Sequence, residues 1–164
     1  MDGEQMRGVI PVARTKTGLF STKTYTLVFT NQRLILAELT SAVIKAAAAT
    51  ARDETRAAGG GILRQMGAQL KSSWNMGTQY LNMDPGAILA EPPGNLALTP
   101  AQVRAIKVER RQRVDNDSDI QTNYLRVVIE TTTGKRSFDT DNEQPSLNEA
   151  LALANSFFGA AFKP

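Results

Sequence analysis

Neither cysteine nor histidine occurs anywhere in this sequence. Their absence removes the thiolate nucleophile, the commonest zinc ligands and the side chain that most readily moves protons near neutral pH. No apolar run approaches the roughly 20 residues that cross a bilayer as a helix. Met1 to Arg7 is polar and charged, without the apolar stretch of a secretory signal, so the chain reads as cytoplasmic. A strong charge of one sign is missing too. With 19 basic and 16 acidic side chains the formal charge is only +3, which points away from nucleic acid as a partner. The 164 residues are long enough for one domain, spanning 1–164, with a core that needs no disulfide or structural metal.

What is present is β-rich at both ends. Tyr25 to Phe29 and Leu34 to Leu39 are two strand-like runs joined by a polar Thr30-Asn31-Gln32-Arg33 turn, which predicts a tight hairpin. Leu34 to Leu39 is apolar on both faces, so something must cover its far side. Val9 to Arg14 reads as an earlier strand, followed by a loop holding Arg14, Lys16 and Lys23. From Ser41 to about Met83 the composition turns to helix formers, with Ser41 as N-cap and Gly59-Gly60-Gly61 as a hinge. There Ile62, Met66, Leu70 and Trp74 recur every four residues. Asp84-Pro85-Gly86 and Pro92-Pro93-Gly94 are turn chemistry. Strands return at Leu96 to Leu98, at Val103 onward, and in a hairpin of Tyr124–Thr131 with Arg136–Thr140 across Thr132-Thr133-Gly134-Lys135. Ser146 and Glu149 form a capping box for a last helix with Leu147, Ala150, Leu151, Ala154, Phe157, Phe158, Ala161 and Phe162 on its apolar face.

The hairpin Leu27-Val28-Phe29-Thr30-Asn31-Gln32-Arg33-Leu34-Ile35-Leu36 resembles a signature of microbial pleckstrin-homology-like and GRAM-like domains. The downstream order, Leu96–Leu98, Ala101–Val108, Leu125–Glu130, Gly134-Lys135 and a final helix, extends the resemblance over about two thirds of the chain. It implies an α+β, mainly antiparallel fold: a curved sheet or barrel capped by a C-terminal helix. The 41–83 segment departs from it as a helical insertion. Such folds serve lipid, peptide and protein binding alike, so the resemblance does not select a ligand.

Three groups of residues are candidates for function. Arg14, Lys16 and Lys23 stand where the resemblance places an anionic head-group loop. Ile62, Met66, Leu70, Trp74 and Tyr80 offer an interaction surface on the insertion, although core packing accounts for them as well. Arg110, Arg111 and Arg113 form the densest basic run, but without the interleaved aromatics that stack on nucleic acid. Asp115, Asp117 and Asp119 have calcium-loop spacing, yet Ile120 and Arg126 occupy the positions of the required glycine and glutamate. Together these features predict a non-enzymatic module without cofactor or metal. Its expected partner is a protein or a second copy, through the insertion. The alternative is peripheral attachment to an anionic membrane surface through the basic loop and amphipathic helices.

Overall fold

The computed structural model describes residues 3–40, 45, 79–91 and 95–158. The expected N-cap Ser41, the triple-glycine hinge, the Ile62, Met66, Leu70 and Trp74 stripe, and Ala161 and Phe162 lie outside the described residues. Seven strands, β1 (Met6–Lys16), β2 (Thr22–Thr30), β3 (Leu34–Glu38), β4 (Leu96–Leu98), β5 (Val103–Val114), β6 (Gln121–Thr131) and β7 (Gly134–Thr140), form one sheet in the order β4-β3-β2-β1-β7-β6-β5. Every pairing is antiparallel. The edges β4 and β5 do not pair with each other, so the sheet is a curled half-barrel. Two short helical pieces accompany it: a 3-10 turn at Gln79–Asn82 and the helix α1 (Pro85–Ala90). A longer helix, α2 (Leu147–Phe158), lies against β5, β1 and β2. This is the α+β, mainly antiparallel architecture expected of a pleckstrin-homology-like fold.

The turn at the heart of the first hairpin is held by its own side chains. The Thr30 hydroxyl accepts the N–H groups of Gln32 and Arg33 at 3.1 and 3.0 Å, closing the loop. Asn31 ties the turn to the N-terminal segment, accepting the Gln5 N–H at 2.7 Å while its own N–H donates to the Gln5 carbonyl at 3.0 Å. Arg33 makes a two-pronged pair with Glu4, 2.8 Å at Nε. The residues of the signature therefore build a turn here.

β1 runs longer than Val9–Arg14 and is bent. Its register against β2 shifts between Ile10 and Ala13, and Val12 there adopts a φ of 55°. A β-branched residue in the left-handed region is costly, and such bulges persist where surrounding pairing fixes them. Beyond the bend, Ala13 and Arg14 pair with Thr140 and Asp139 of β7, which joins the two halves of the half-barrel.

The core lies between the concave side of the sheet and α2. Ala150, Ala154 and Phe157 enter it, with Phe157 edge-on to Phe29 at 6.5 Å. Leu151, expected on this face, is exposed, and Leu153 packs instead beside Gly8. The helix begins with the reciprocal box, Ser146 N–H to Glu149 Oε2 at 2.8 Å and Glu149 N–H to Ser146 Oγ at 3.3 Å. The second hairpin turns on Thr132 and Thr133 alone, so Gly134 and Lys135, expected in the turn, are already strand.

β3 is apolar on both faces and is covered on both. Leu34 and Leu36 face the main core, while Ile35 and Ala37 face a second cluster with Val9, Val28, Tyr80 and Ile88. Residues 79–91 are thus a strap across the outside of the sheet. Asp84-Pro85, read as a turn, starts α1: Asp84 Oδ1 accepts the Ala87 N–H at 3.1 Å, and proline fits the first helical position because its missing N–H would be unpaired there anyway. Tyr80, expected on an interaction surface, is fully buried because it fills this outer cluster, with its hydroxyl donating to Glu91 at 2.9 Å. Burial, and then the Glu91 carboxylate, hold that phenol well above its ordinary range.

Tyr80→Phe should therefore cost about 1 kcal/mol of stability, and Tyr80→Ala about 3–5 kcal/mol, by urea unfolding. An alanine variant within 1 kcal/mol of wild type would show that the strap adds nothing to the core. Ser146→Ala should cost about 1 kcal/mol through loss of the cap. Glu149 is held below the usual carboxylate range by its bonds to Ser146. Its contribution is complete above the unfolded value of about 4.3 and is lost as pH falls through the lower folded value. The stability gap between wild type and Glu149→Gln should accordingly close in acid, and a gap constant with pH would refute a role for the carboxylate charge.

Candidate anion-binding cleft

β1 and β7 pair at only two positions, Ala13 with Thr140 and Arg14 with Asp139. Past Arg14 the strands separate, and a cleft of about 660 Å³ opens between them. Thr15, Lys16 and Thr17 form one side, Lys135, Arg136 and Ser137 the other, with Tyr25 and Arg126 completing it. Its lining holds five cations, Arg14, Lys16, Arg126, Lys135 and Arg136, against the single carboxylate of Asp139. That is a local charge of +4 in a chain whose net charge is +3.

These cations are not equally available. Arg126 grips Asp139 with two bonds of 2.7 and 2.8 Å, which hold its guanidinium still more firmly charged. Arg14 reaches Asp141 at 3.1 Å, and Lys135 stands 4.0 Å from Glu130. Glu130 is bound more closely by Lys107, at 3.0 Å, which is the main reason its carboxylate lies below the usual range. Lys16 and Arg136 have no acidic partner among the described residues. With the hydroxyls of Thr15 and Ser137 beside them, they give the cleft two free cations and neutral donors suited to a multiply charged anion.

Of the expected head-group residues, Arg14 and Lys16 line this cleft, but they lie on β1 rather than in a loop. Lys23 is on β2, outside the cleft, with its ammonium 3.3 Å from Glu38. Arg126, Lys135 and Arg136 were not singled out from sequence. Lys135-Arg136 directly after the hairpin turn was the available signal, but only the β1–β7 pairing shows that it faces Lys16.

The arginine run of β5 is engaged elsewhere. Arg110 binds Glu143, Arg111 binds Glu109 at 2.7 Å, and Arg113 lies over the Tyr124 ring at 4.9 Å. Asp115 is a turn-builder. Its carboxylate accepts the Ser118 hydroxyl at 2.7 Å and the Asp117 N–H at 3.2 Å, which lowers its pKa. Among the described residues no group of three acidic side chains is arranged to hold a metal ion. A larger apolar groove of about 710 Å³ runs between β1 and α2, but its two carboxylates, Glu143 and Glu149, are committed to Arg110 and to the helix cap. Among the described residues no helix is long and apolar enough to cross a membrane. No family model, curated protein or solved structure matches this chain.

Asp139→Asn would remove the one carboxylate in the cleft. Anions that bind the folded state raise its melting temperature by mass action, so titrated inorganic pyrophosphate should stabilise Asp139→Asn more than wild type, and Lys16→Gln with Arg136→Gln less. In the absence of anion the Asp139 change should cost up to about 1 kcal/mol, as for a partly exposed ion pair. Equal pyrophosphate shifts in all three proteins would refute anion binding in the cleft.

Proposed function

We propose that this chain is a non-enzymatic, pleckstrin-homology-like binding module that attaches peripherally to anionic membrane surfaces, with the β1–β7 cleft receiving a lipid head group. The observation that carries this reading is that two cations without an acidic partner among the described residues, Lys16 and Arg136, line one cleft. Basic side chains near an anionic leaflet contribute about 1 kcal/mol each, and the attraction fades beyond a Debye length of about 10 Å at 0.1 M salt. A cluster of cations at one end of a small domain meets that condition better than the same charges spread over its surface. The resemblance of the hairpin and of the strand order to pleckstrin-homology-like domains is compatible with this reading without selecting it, since such folds bind lipids, peptides and proteins alike. Binding of a protein partner or of a second copy through the insertion is the first expectation from sequence, but of its residues Ile62, Met66, Leu70 and Trp74 lie outside the described ones and Tyr80 is buried.

The test is sedimentation with phosphatidylcholine vesicles, with and without phosphatidylserine, at low and moderate salt. Wild type should bind only the anionic vesicles and release as salt rises. Lys16→Glu with Arg136→Glu should weaken that binding more than about tenfold, whereas charge reversal at Arg111 and Arg113 should matter less. Binding that ignores lipid charge, or that the cleft reversals leave intact, would overturn the proposal.

A further inference from the structure

The turn joining β1 to β2 is closed at its base and apolar at its tip. Thr17 N–H donates to the Ser21 carbonyl at 2.9 Å, and the two hydroxyls lie 2.8 Å apart. This leaves Gly18, Leu19 and Phe20 as a three-residue tip. Leu19 is 95% exposed and Phe20 101%, while the next most exposed large apolar side chain among the described residues, Ile120, reaches 60%. A hydrogen-bonded turn needs no apolar residue at its apex, and neither side chain contributes to a core. Thr17 at the base lines the basic cleft, Lys16 precedes it, and Lys23 follows two residues after Ser21.

We infer that Leu19 and Phe20 insert into the interfacial layer of an anionic bilayer while the cations beside them engage head groups. This deepens the head-group reading above and rests on it. Charge complementarity selects the bilayer as occupant. At its surface, anionic groups overlie acyl carbon within the 5–10 Å that an interfacial apolar residue penetrates. An apolar pair at the tip of a turn whose base adjoins the basic cleft and Lys16 matches that layering. The hydrogen-bonded base holds the two side chains outward, so insertion requires little reorganisation.

Because the chain has no cysteine, a single introduced one can be labelled uniquely. An environment-sensitive fluorophore at Phe20→Cys should shift to the blue on mixing the full chain with phosphatidylcholine–phosphatidylserine vesicles. It should also be quenched by lipids spin-labelled high on the acyl chain. The same label at Asn116→Cys, on the exposed turn at the far end of β6 from the β6–β7 turn, should not respond. Leu19→Ala with Phe20→Ala should keep the wild-type melting temperature, lower vesicle affinity at least about tenfold, and make the residual binding more sensitive to salt. An unresponsive label at position 20 on protein that sediments with anionic vesicles overturns insertion and leaves the head-group reading standing. No sedimentation at low salt overturns both. A smaller light-scattering mass for the double alanine variant without vesicles would assign the tip to a second copy of the chain and also overturn insertion.

Discussion

A strand buried on both faces dictates the arrangement of the first half of this protein. β3 is wholly apolar from Leu34 to Ala37, and all four side chains are buried. The concave side of a half-barrel covers one face, but an antiparallel sheet usually leaves its outer face to water, where Ile35 and Ala37 would be exposed. The strap of residues 79–91 resolves this by laying Tyr80 and Ile88 over them. Its ends are tied by polar contacts. Asn95 accepts the Glu38 N–H at 3.0 Å and donates to the Ile88 carbonyl at 2.7 Å, so the segment that covers β3 also delivers β4 to its edge.

The bend in β1 has the corresponding role for the second half. One strand must pair with β2 along its length and also meet β7, and a flat strand would hold the two halves of the sheet in one plane. The bulge at Val12 turns it, and pairing with β7 is limited to two residues. The cleft follows from that geometry. Where β1 and β7 part, the ends of both carry basic residues, and among the described residues no further strand intervenes.

Several local signals in the sequence carry their own structure, whereas the non-local pairings are not written in any one segment. The Thr30–Arg33 hairpin, the β6–β7 hairpin and the Ser146–Glu149 box are each specified within a few residues, by side chains that bond the backbone beside them. Burial of β3 on both faces was legible from composition, though not the identity of its cover. Asp84-Pro85 was ambiguous, since an N-cap followed by proline also has turn composition. The cleft was half legible. Arg14 and Lys16 were visible in the chain, but Arg126, Lys135 and Arg136 are more than a hundred residues away and join them only through the β1–β7 pairing.

Charge shows the same division between sequence and fold. The densest basic run, on β5, is engaged by Glu143, Glu109 and the Tyr124 ring, while two of the sparser cations that converge on the cleft, Lys16 and Arg136, keep no acidic partner among the described residues. Run density is a poor guide because cross-strand partners, set by register, decide which charges remain. On the proposed reading, two free cations at about 1 kcal/mol each supply roughly thirtyfold attraction to an anionic leaflet, too little for stable attachment alone. Stable anchoring generally takes two signals, and an apolar insertion beside a basic patch is one such combination. The exposed Leu19 and Phe20 would be the second, and their position beside the cleft lets a single approach engage both. Such an attachment is reversible by design of its parts, since either salt or loss of the anionic lipid removes one of the two contributions it depends on.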